Sequence, residues 1–304
     1  MKTLSESVAP STRPAPLASS SRNGERGLRP MIFLVALWLC LAVAVVFLIT
    51  LVATVAIQGA PRLTATLLTE YPSSSPERAG ARPAILGSIW VIATTAVFTI
   101  PLGVAAAVHL EEFADRSNWF NRLVEVNVQN LASVPSIVYG LLALSFLSLL
   151  GVQDKNIVIG GALALSLLIL PVIIISTREA LRAVPQEIRQ GSLALGASQW
   201  QTTWRQVLPS AVPGIATGSI LALSRALGEA APLLLLGALV FVSFDPNGLL
   251  SGFTTLPIQI FNWTGRPQAE FHDLAAATSI VLLVLLVTMN ALAIFIRNRF
   301  QSRW

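Results

Sequence analysis

Long runs without a charged side chain organise this sequence. Residues 30–61, 83–110, 126–153, 156–177, 206–224, 230–244 and 274–296 contain no Asp, Glu, Lys or Arg. A helix that crosses a bilayer needs roughly 20 predominantly apolar residues. Five of these seven runs are long enough alone, and the runs at 206–224 and 230–244 are parted only by Arg225 to Glu229. Read as one span with a charged centre, they complete a set of six. The pattern predicts an all-α integral membrane protein with six transmembrane helices near 31–57, 84–109, 131–151, 157–177, 213–240 and 273–296.

Composition sharpens what this excludes. Hydrophobic residues make up 54% of the 304 residues and charged residues 12%, about half of the roughly 25% expected of a soluble chain. A soluble enzyme is ruled out. Cys40 is the single cysteine, and the two histidines, His109 and His272, lie at the ends of different predicted spans. No metal site is therefore expected. The only lysines are Lys2 and Lys155, neither in a Gly-x-x-x-x-Gly-Lys-Ser/Thr setting, so this chain does not hydrolyse ATP by that motif. No nucleophile–base pair stands out, and the net charge of +5 needs no nucleic acid to explain it. The catalytic set is expected to be empty.

In a membrane protein, the useful question is where the positive charge falls. With six spans, the two tails and the loops at 110–130 and 178–212 share one side and hold 14 basic residues; the loops at 58–83, 152–156 and 241–272 hold 5. Positive charge marks the cytoplasmic face, so both termini are predicted to be cytoplasmic in a multi-pass membrane protein. Residues 1–30, rich in Ser, Pro and Arg, read as a disordered cytoplasmic tail, and 297–304 as a cytoplasmic C-tail. The apolar run after the N-tail exceeds a signal h-region, so it is expected to anchor the chain.

The remaining loops differ in character. Residues 58–83, on the outer side, carry Pro61, Pro72, Pro76 and Pro83 and predict an excursion with little regular helix. The loop at 241–272 mixes Phe253, Phe261, Trp263 and Phe271 with turn residues. It reads either as aromatic anchors at headgroup level or as a short interfacial helix around Leu256–Trp263 offered to an external partner. Polar groups at Thr94, Thr95, Thr99, Asn130, Ser133 and Ser136 suit close helix packing, and the sequence does not separate that from pore lining.

The segment 178–212 is too long for a plain helix connection, usually 2–8 residues. Ile188, Leu193, Leu195, Trp200 and Trp204 recur near helical spacing on both sides of Gly196. Two short helices joined by a glycine turn fit best. They serve either as a docking projection or as an amphipathic pair lying on the lipid surface.

Here the chain resembles a family. Permeases of ATP-binding-cassette importers carry a cytoplasmic signature of Glu-Ala-Ala, three residues, Gly, nine residues, then Ile-x-Leu-Pro. The matching positions read Gln190-Gly191-Ser192, Gly196 and Gln206-Val207-Leu208-Pro209, so the glycine and the Leu-Pro agree while the Glu-Ala-Ala does not. Further runs are similar to the PstA-type permeases of phosphate importers. They are Ala132-Ser133-Val134-Pro135-Ser136-Ile137-Val138-Tyr139-Gly140-Leu141, Leu170-Pro171-Val172-Ile173-Ile174, Thr177-Arg178-Glu179-Ala180-Leu181, Ala194-Leu195-Gly196-Ala197, and Leu221 through Ser224-Arg225-Ala226-Leu227-Gly228-Glu229 to Pro232. A last similar stretch runs from Leu256-Pro257 to Ala277, so the likeness covers about residue 84 to the end.

The resemblance implies a type I ABC importer permease fold, with a permease core over 84–296 and a coupling loop at 178–212 whose Ala194, Leu195, Gly196 and Ala197 meet an ATPase. It implies inorganic phosphate as cargo, a place in the bacterial cell (inner) membrane, a PstC-type permease as heterodimer partner, two PstB-type ATPases and a PstS-type binding protein. No cofactor is expected on this chain, ATP and Mg being used by the partner ATPase. A permease for another oxyanion, such as phosphonate or molybdate, and a secondary anion transporter are the alternatives.

Arg225 and Glu229 stand out without any family. Four residues apart, they are expected on one helix face near the bilayer midplane. An ionised group there costs at least about 2.5–3.5 kcal/mol, so the two should pair and face the protein interior. Pro232 should leave the carbonyl of Gly228 without its helical donor. Two readings fit: a buried ion pair that fixes packing, or a substrate-facing element whose arginine fork binds an oxyanion. Arg178 is expected to guide anions out or to snorkel as an anchor.

Overall fold

The structure is a computed structural model that describes residues 28–115, 117–238 and 241–300. The tail predicted at 1–30 thus lies outside the described residues up to 27, and so do 301–304. The chain divides into two units, one ending at Val52 and the other beginning at Ala53. In the first lies most of α1 (Leu28–Gly59), 32 residues of almost unbroken apolar sequence. At 1.5 Å per residue it is about 48 Å long, enough to cross a bilayer.

The second unit is all-helical in its described residues. A single turn at Ala60–Arg62 and the short α2 (Ala65–Thr69) precede α3 (Arg82–Val108), which ends in a π-turn at His109–Phe113. Then come α4 (Trp119–Leu131), α5 (Ser136–Leu149) and α6 (Val158–Arg182). Two short helices, α7 (Gln186–Ala194) and α8 (Gln199–Thr202), lead through a π-turn at Thr203–Val207 into α9 (Leu208–Leu227). The chain closes with α10 (Ala231–Leu236), α11 (Leu256–Thr264) and α12 (Ala269–Phe300).

Five helices are long and apolar enough to cross a membrane, or six if α4 and α5, bent by 115°, count as one broken span. The span expected near 131–151 therefore begins at an elbow, its apolar part being α5, with α4 turned away from it. Pro135 cannot donate a backbone hydrogen bond and pushes Val134 out of helical geometry, so the helix stops and restarts. Tyr139, buried, braces the bend by donating to the carbonyl of Leu131 at 2.5 Å.

α6 is the centre of the unit, with α3, α9, α5 and α10 around it. Leu165, Leu168, Ile169 and Ile173 from α6 are buried with Val91 of α3, Ala222 and Ala226 of α9, and Phe253. Lipid tails are as apolar as leucine, so these helices gain by close packing rather than by leaving water. Small residues allow it: a Cβ on Gly214 would stand 2.7 Å from that of Ala180, and one on Gly218 would overlap Ser176. Thr99 adds a hydrogen bond to Ser166 at 2.7 Å and Thr95 donates to Val91 one turn back. Thr99 thus ties α3 to α6.

One end of the bundle gathers Arg178, Arg182 and Arg189 and is called the arginine-rich end below. The opposite end is capped by a second core in which Leu67, Ala81, Leu256, Trp263, Phe271 and Leu274 are buried. Trp263 and Phe271 pack at 6.3 Å, and Phe253 is fully enclosed. The loop aromatics expected to anchor at headgroup level, or to meet a partner, are mostly interior; Phe261, 63% exposed, is the exception among the four. Composition does not distinguish an aromatic at a lipid surface from one covered by its own chain.

The fifth span also differs from expectation. It runs from Gln199 to Leu227, not 213–240, so Arg225 sits in its last turn instead of its centre. Pro232 occupies the first turn of the separate helix α10, where a missing N–H costs nothing, so it starts a helix and does not kink one. By the same shift, α6 continues to Arg182 and α8 begins at Gln199, shortening the connection expected at 178–212 to residues 183–198.

Candidate functional site

At the arginine-rich end, Pro185 starts α7, and the helix ends in a six-residue wrap around Gly196. The N–H of Gly196 donates to Leu193 (2.9 Å), and that of Ala197 to Ser192 (3.2 Å). This Schellman arrangement requires a left-handed residue, and Gly196 has φ +85°. Ser198 then opens α8: its Oγ accepts from the N–H of Gln201, whose side chain accepts from the N–H of Ser198. The turn lifts Leu195, 91% exposed, to its tip, with Leu193, Trp200 and Trp204 exposed beside it. Trp200 lies 5.3 Å from Trp204 and 5.7 Å from Phe113. Ala194, Leu195, Gly196 and Ala197 are thus one continuous apolar turn.

Beneath this turn is a network that the sequence reading missed. Arg178 is buried, its Nε donating to Glu111 at 3.1 Å and its Nη2 to Glu125 at 2.7 Å. Arg182 reaches the other oxygen of Glu111 at 2.9 Å. Arg189 donates to Glu112 at 2.8 Å and to the carbonyls of Val184 and Leu181. Gln199 donates to the backbone carbonyl of Glu112. The widened π-turn presents Glu111 and Glu112, adjacent in sequence, to two different partners. So α3, α4, α6, α7 and α8 are tied at one joint. Arg178 neither snorkels nor stands free: it is enclosed between two carboxylates. The available signal was the sign pattern, Glu111, Glu112 and Glu125 near one pair of span ends and Arg178, Arg182 and Arg189 near another.

A cleft of about 320 Å³ opens beside this network, lined by Asp115, Asn121, Arg122, Glu125, Arg178 and Arg182. The N–H of Ser117 donates to Asp115 at 2.8 Å, and this bond holds the Asp115 carboxyl below the usual carboxylate range. Among the described residues, no group of three or more His, Cys, Asp or Glu is placed to hold a metal.

The second candidate region is the break after α9. The N–H groups of Gly228 and Glu229 fold back onto the carbonyls of Arg225 and Ala226, closing the helix. The expected pairing of Arg225 and Glu229 is present but loose, Nε to Oε1 3.6 Å. It is not sealed: the side chain of Arg225 is 51% exposed and that of Glu229 21%. Nor is it central. Glu229 shares a small cavity with Ser88, Val91 and Ile92 of α3, Leu165 of α6 and Thr255, six to ten residues from the start of α3. That is roughly 10–15 Å along the helix from its end, in the half away from the arginine-rich end. Next to Arg225, the Oγ of Ser224 lies 2.6 Å from the Oδ1 of Asn290, and it also donates to Ile220. The structure does not bring Arg178 and Arg225 together; they lie toward opposite ends of the antiparallel pair α6 and α9.

Residues 99–304 match the family described as binding-protein-dependent transport system inner membrane component. The chain is 34% identical over 270 residues to the probable ABC transporter permease protein YqgI of Bacillus subtilis, covering 84% of this chain and 90% of that one. It is 31% identical over 249 residues to the phosphate transport system permease protein PstA of Haemophilus influenzae, covering 81% and 84%. Among solved structures, it resembles a chain of a bacterial alginate ABC transporter with its periplasmic protein (TM-score 0.63, 16% identity, 87% of this chain and 93% of that one). It also resembles a chain of the MetNI methionine ABC transporter (TM-score 0.59, 20% identity, 76% and 100%). The fold is that of the type I ABC importer permeases.

Proposed function

The chain belongs to the family of inner-membrane components of binding-protein-dependent transport systems, and we propose that it is the permease subunit of an ATP-driven importer of inorganic phosphate. The observation that carries the cargo class is Arg225. It is a half-exposed guanidinium at the end of an apolar helix, held only loosely by a carboxylate. An ionised side chain in such surroundings must face water or protein, not lipid, so the surface it presents is completed by a second permease. A guanidinium offers an oxyanion two parallel hydrogen bonds. Glu229 balances the charge when no anion is present and keeps the anion from being held too long. The similarity to PstA proteins at moderate identity supports phosphate among the oxyanions.

In this reading, the arginine-rich end faces the cytoplasm with both termini, as the excess of basic residues there favours. The apolar turn of Ala194, Leu195, Gly196 and Ala197 docks into one of two PstB-type ATPases, which use ATP and Mg. A PstC-type permease forms the other half of the path, and a PstS-type binding protein delivers the anion on the far side. Arg178 serves the route by holding the ends of α3, α4 and α6 together beside the cleft.

The test is uptake of labelled phosphate by the assembled importer, with co-purification of the ATPase as the check on assembly. Arg225→Ala should abolish uptake while the complex still forms. Normal uptake in that variant overturns the pathway assignment, and competition by molybdate or phosphonate at equal concentration overturns the choice of phosphate.

A further inference from the structure

Glu229 can leave Arg225 only if something else receives its charge, and the structure holds a candidate. Ser88 and Thr255 line the same small cavity as Glu229, with about 10 Å³ of free space, close to that of a single water. Both hydroxyls are buried, Ser88 1% and Thr255 3% exposed. Among the described residues the Oγ1 of Thr255 has no hydrogen-bond partner, and a buried hydroxyl left in that state is costly. The Oγ of Ser88 accepts from the N–H of Leu256 at 2.9 Å, which leaves its own proton for another acceptor. Thr255 is also the N-cap residue of α11, and the positive end of a helix favours an anion.

We propose that Ser88, Thr255 and the N-terminus of α11 form a second seat for the Glu229 carboxylate, taken when an anion occupies Arg225. This rests on the pathway reading above. The carboxylate moves between two partners: the guanidinium when the path is empty, and two hydroxyl donors when it is loaded. Three observations converge on it. The ion pair is too long for a hydrogen bond at 3.6 Å, the donors are unspent among the described residues, and all three side chains border one cavity. Glu229 lies just beyond the end of α9, outside the rigid helix, so a change of partner needs no helix movement. Ser88 and Thr255 act through Glu229 and are positioning residues.

The experiment measures the KM and kcat of phosphate uptake by the assembled importer in proteoliposomes. Thr255→Val, which keeps shape and removes the donor, should raise KM about tenfold, the worth of one hydrogen bond to a charged group, with kcat altered far less. Thr255→Ser should restore the parent KM. In a Glu229→Gln background, Thr255→Val should change KM by less than about twofold, because no charge remains to be seated. Ser88→Ala should follow the same pattern. Equal effects in both backgrounds would mean that the hydroxyls only pack the helices, and no effect with Glu229 present would remove the seat. If Arg225→Ala abolishes uptake while Thr255→Val is silent, the seat fails and the pathway stands. If Arg225→Ala is silent too, both fail.

Discussion

Replacing Arg178 or Glu111 alone should destabilise the arginine-rich end, whereas replacing both should largely restore its stability. The side chains of Arg178 and Glu111 are 8% and 5% exposed and joined at 3.1 Å. Removing one partner of a buried ion pair leaves an uncompensated charge, at a cost of about 3–5 kcal/mol. Glu111→Leu should lie in that range, because Arg178 then keeps only Glu125, itself 38% exposed. Arg178→Met should fall nearer 3 kcal/mol or below, since Arg182 still reaches Glu111 at 2.9 Å. The double variant removes both enclosed charges. What remains, Arg182 at 41% and Glu125 at 38% exposed, can return to water, so its loss should stay within about 1–1.5 kcal/mol of the parent. The interaction energy of the cycle should then exceed about 2 kcal/mol. The measurement is reversible unfolding of the purified importer in mixed micelles, followed by tryptophan fluorescence. Single variants within about 1 kcal/mol of the parent, or an additive double variant, would refute the reasoning. Uptake separates two roles for Arg178. A stable double variant that still transports places its role in the joint, and a stable one that does not transport gives the pair a part in transport beyond holding the joint.

Two further outcomes follow from backbone geometry. At φ +85°, Gly196→Ala meets no neighbour within 4 Å, so its cost of about 1–2 kcal/mol is conformational; faster amide exchange at Gly196 and Ala197, with weaker stimulation of the ATPase, checks this. At Gly140 the obstacle is steric instead: a Cβ would stand 2.5 Å from the carbonyl oxygen of Pro232. Gly140→Ala should therefore push α10 off α5 and cost about 1–3 kcal/mol, read as a lower unfolding midpoint with Gly191→Ala, which meets nothing within 4 Å, as the control.

What the sequence by itself determined is the class of molecule: apolar runs near the length of a bilayer leave helices as the structure that satisfies their own backbone. It determined the glycine turn as well, because a Schellman wrap is a local event set by the residues within it. The pairing of Arg225 with Glu229 was legible from spacing, though not its looseness or its place at a helix end. Only the tertiary structure decided where the helices break, since Pro135 and Pro232 read alike in sequence but one makes an elbow and the other starts a new helix. It alone decided that Arg178 is enclosed by Glu111 and Glu125, far apart in sequence, and that Ser88 and Thr255 border the cavity of Glu229. Periodicity reports which face of one helix is apolar; which charge or hydroxyl stands opposite depends on how separate helices pack, and small residues spread along the chain set that packing.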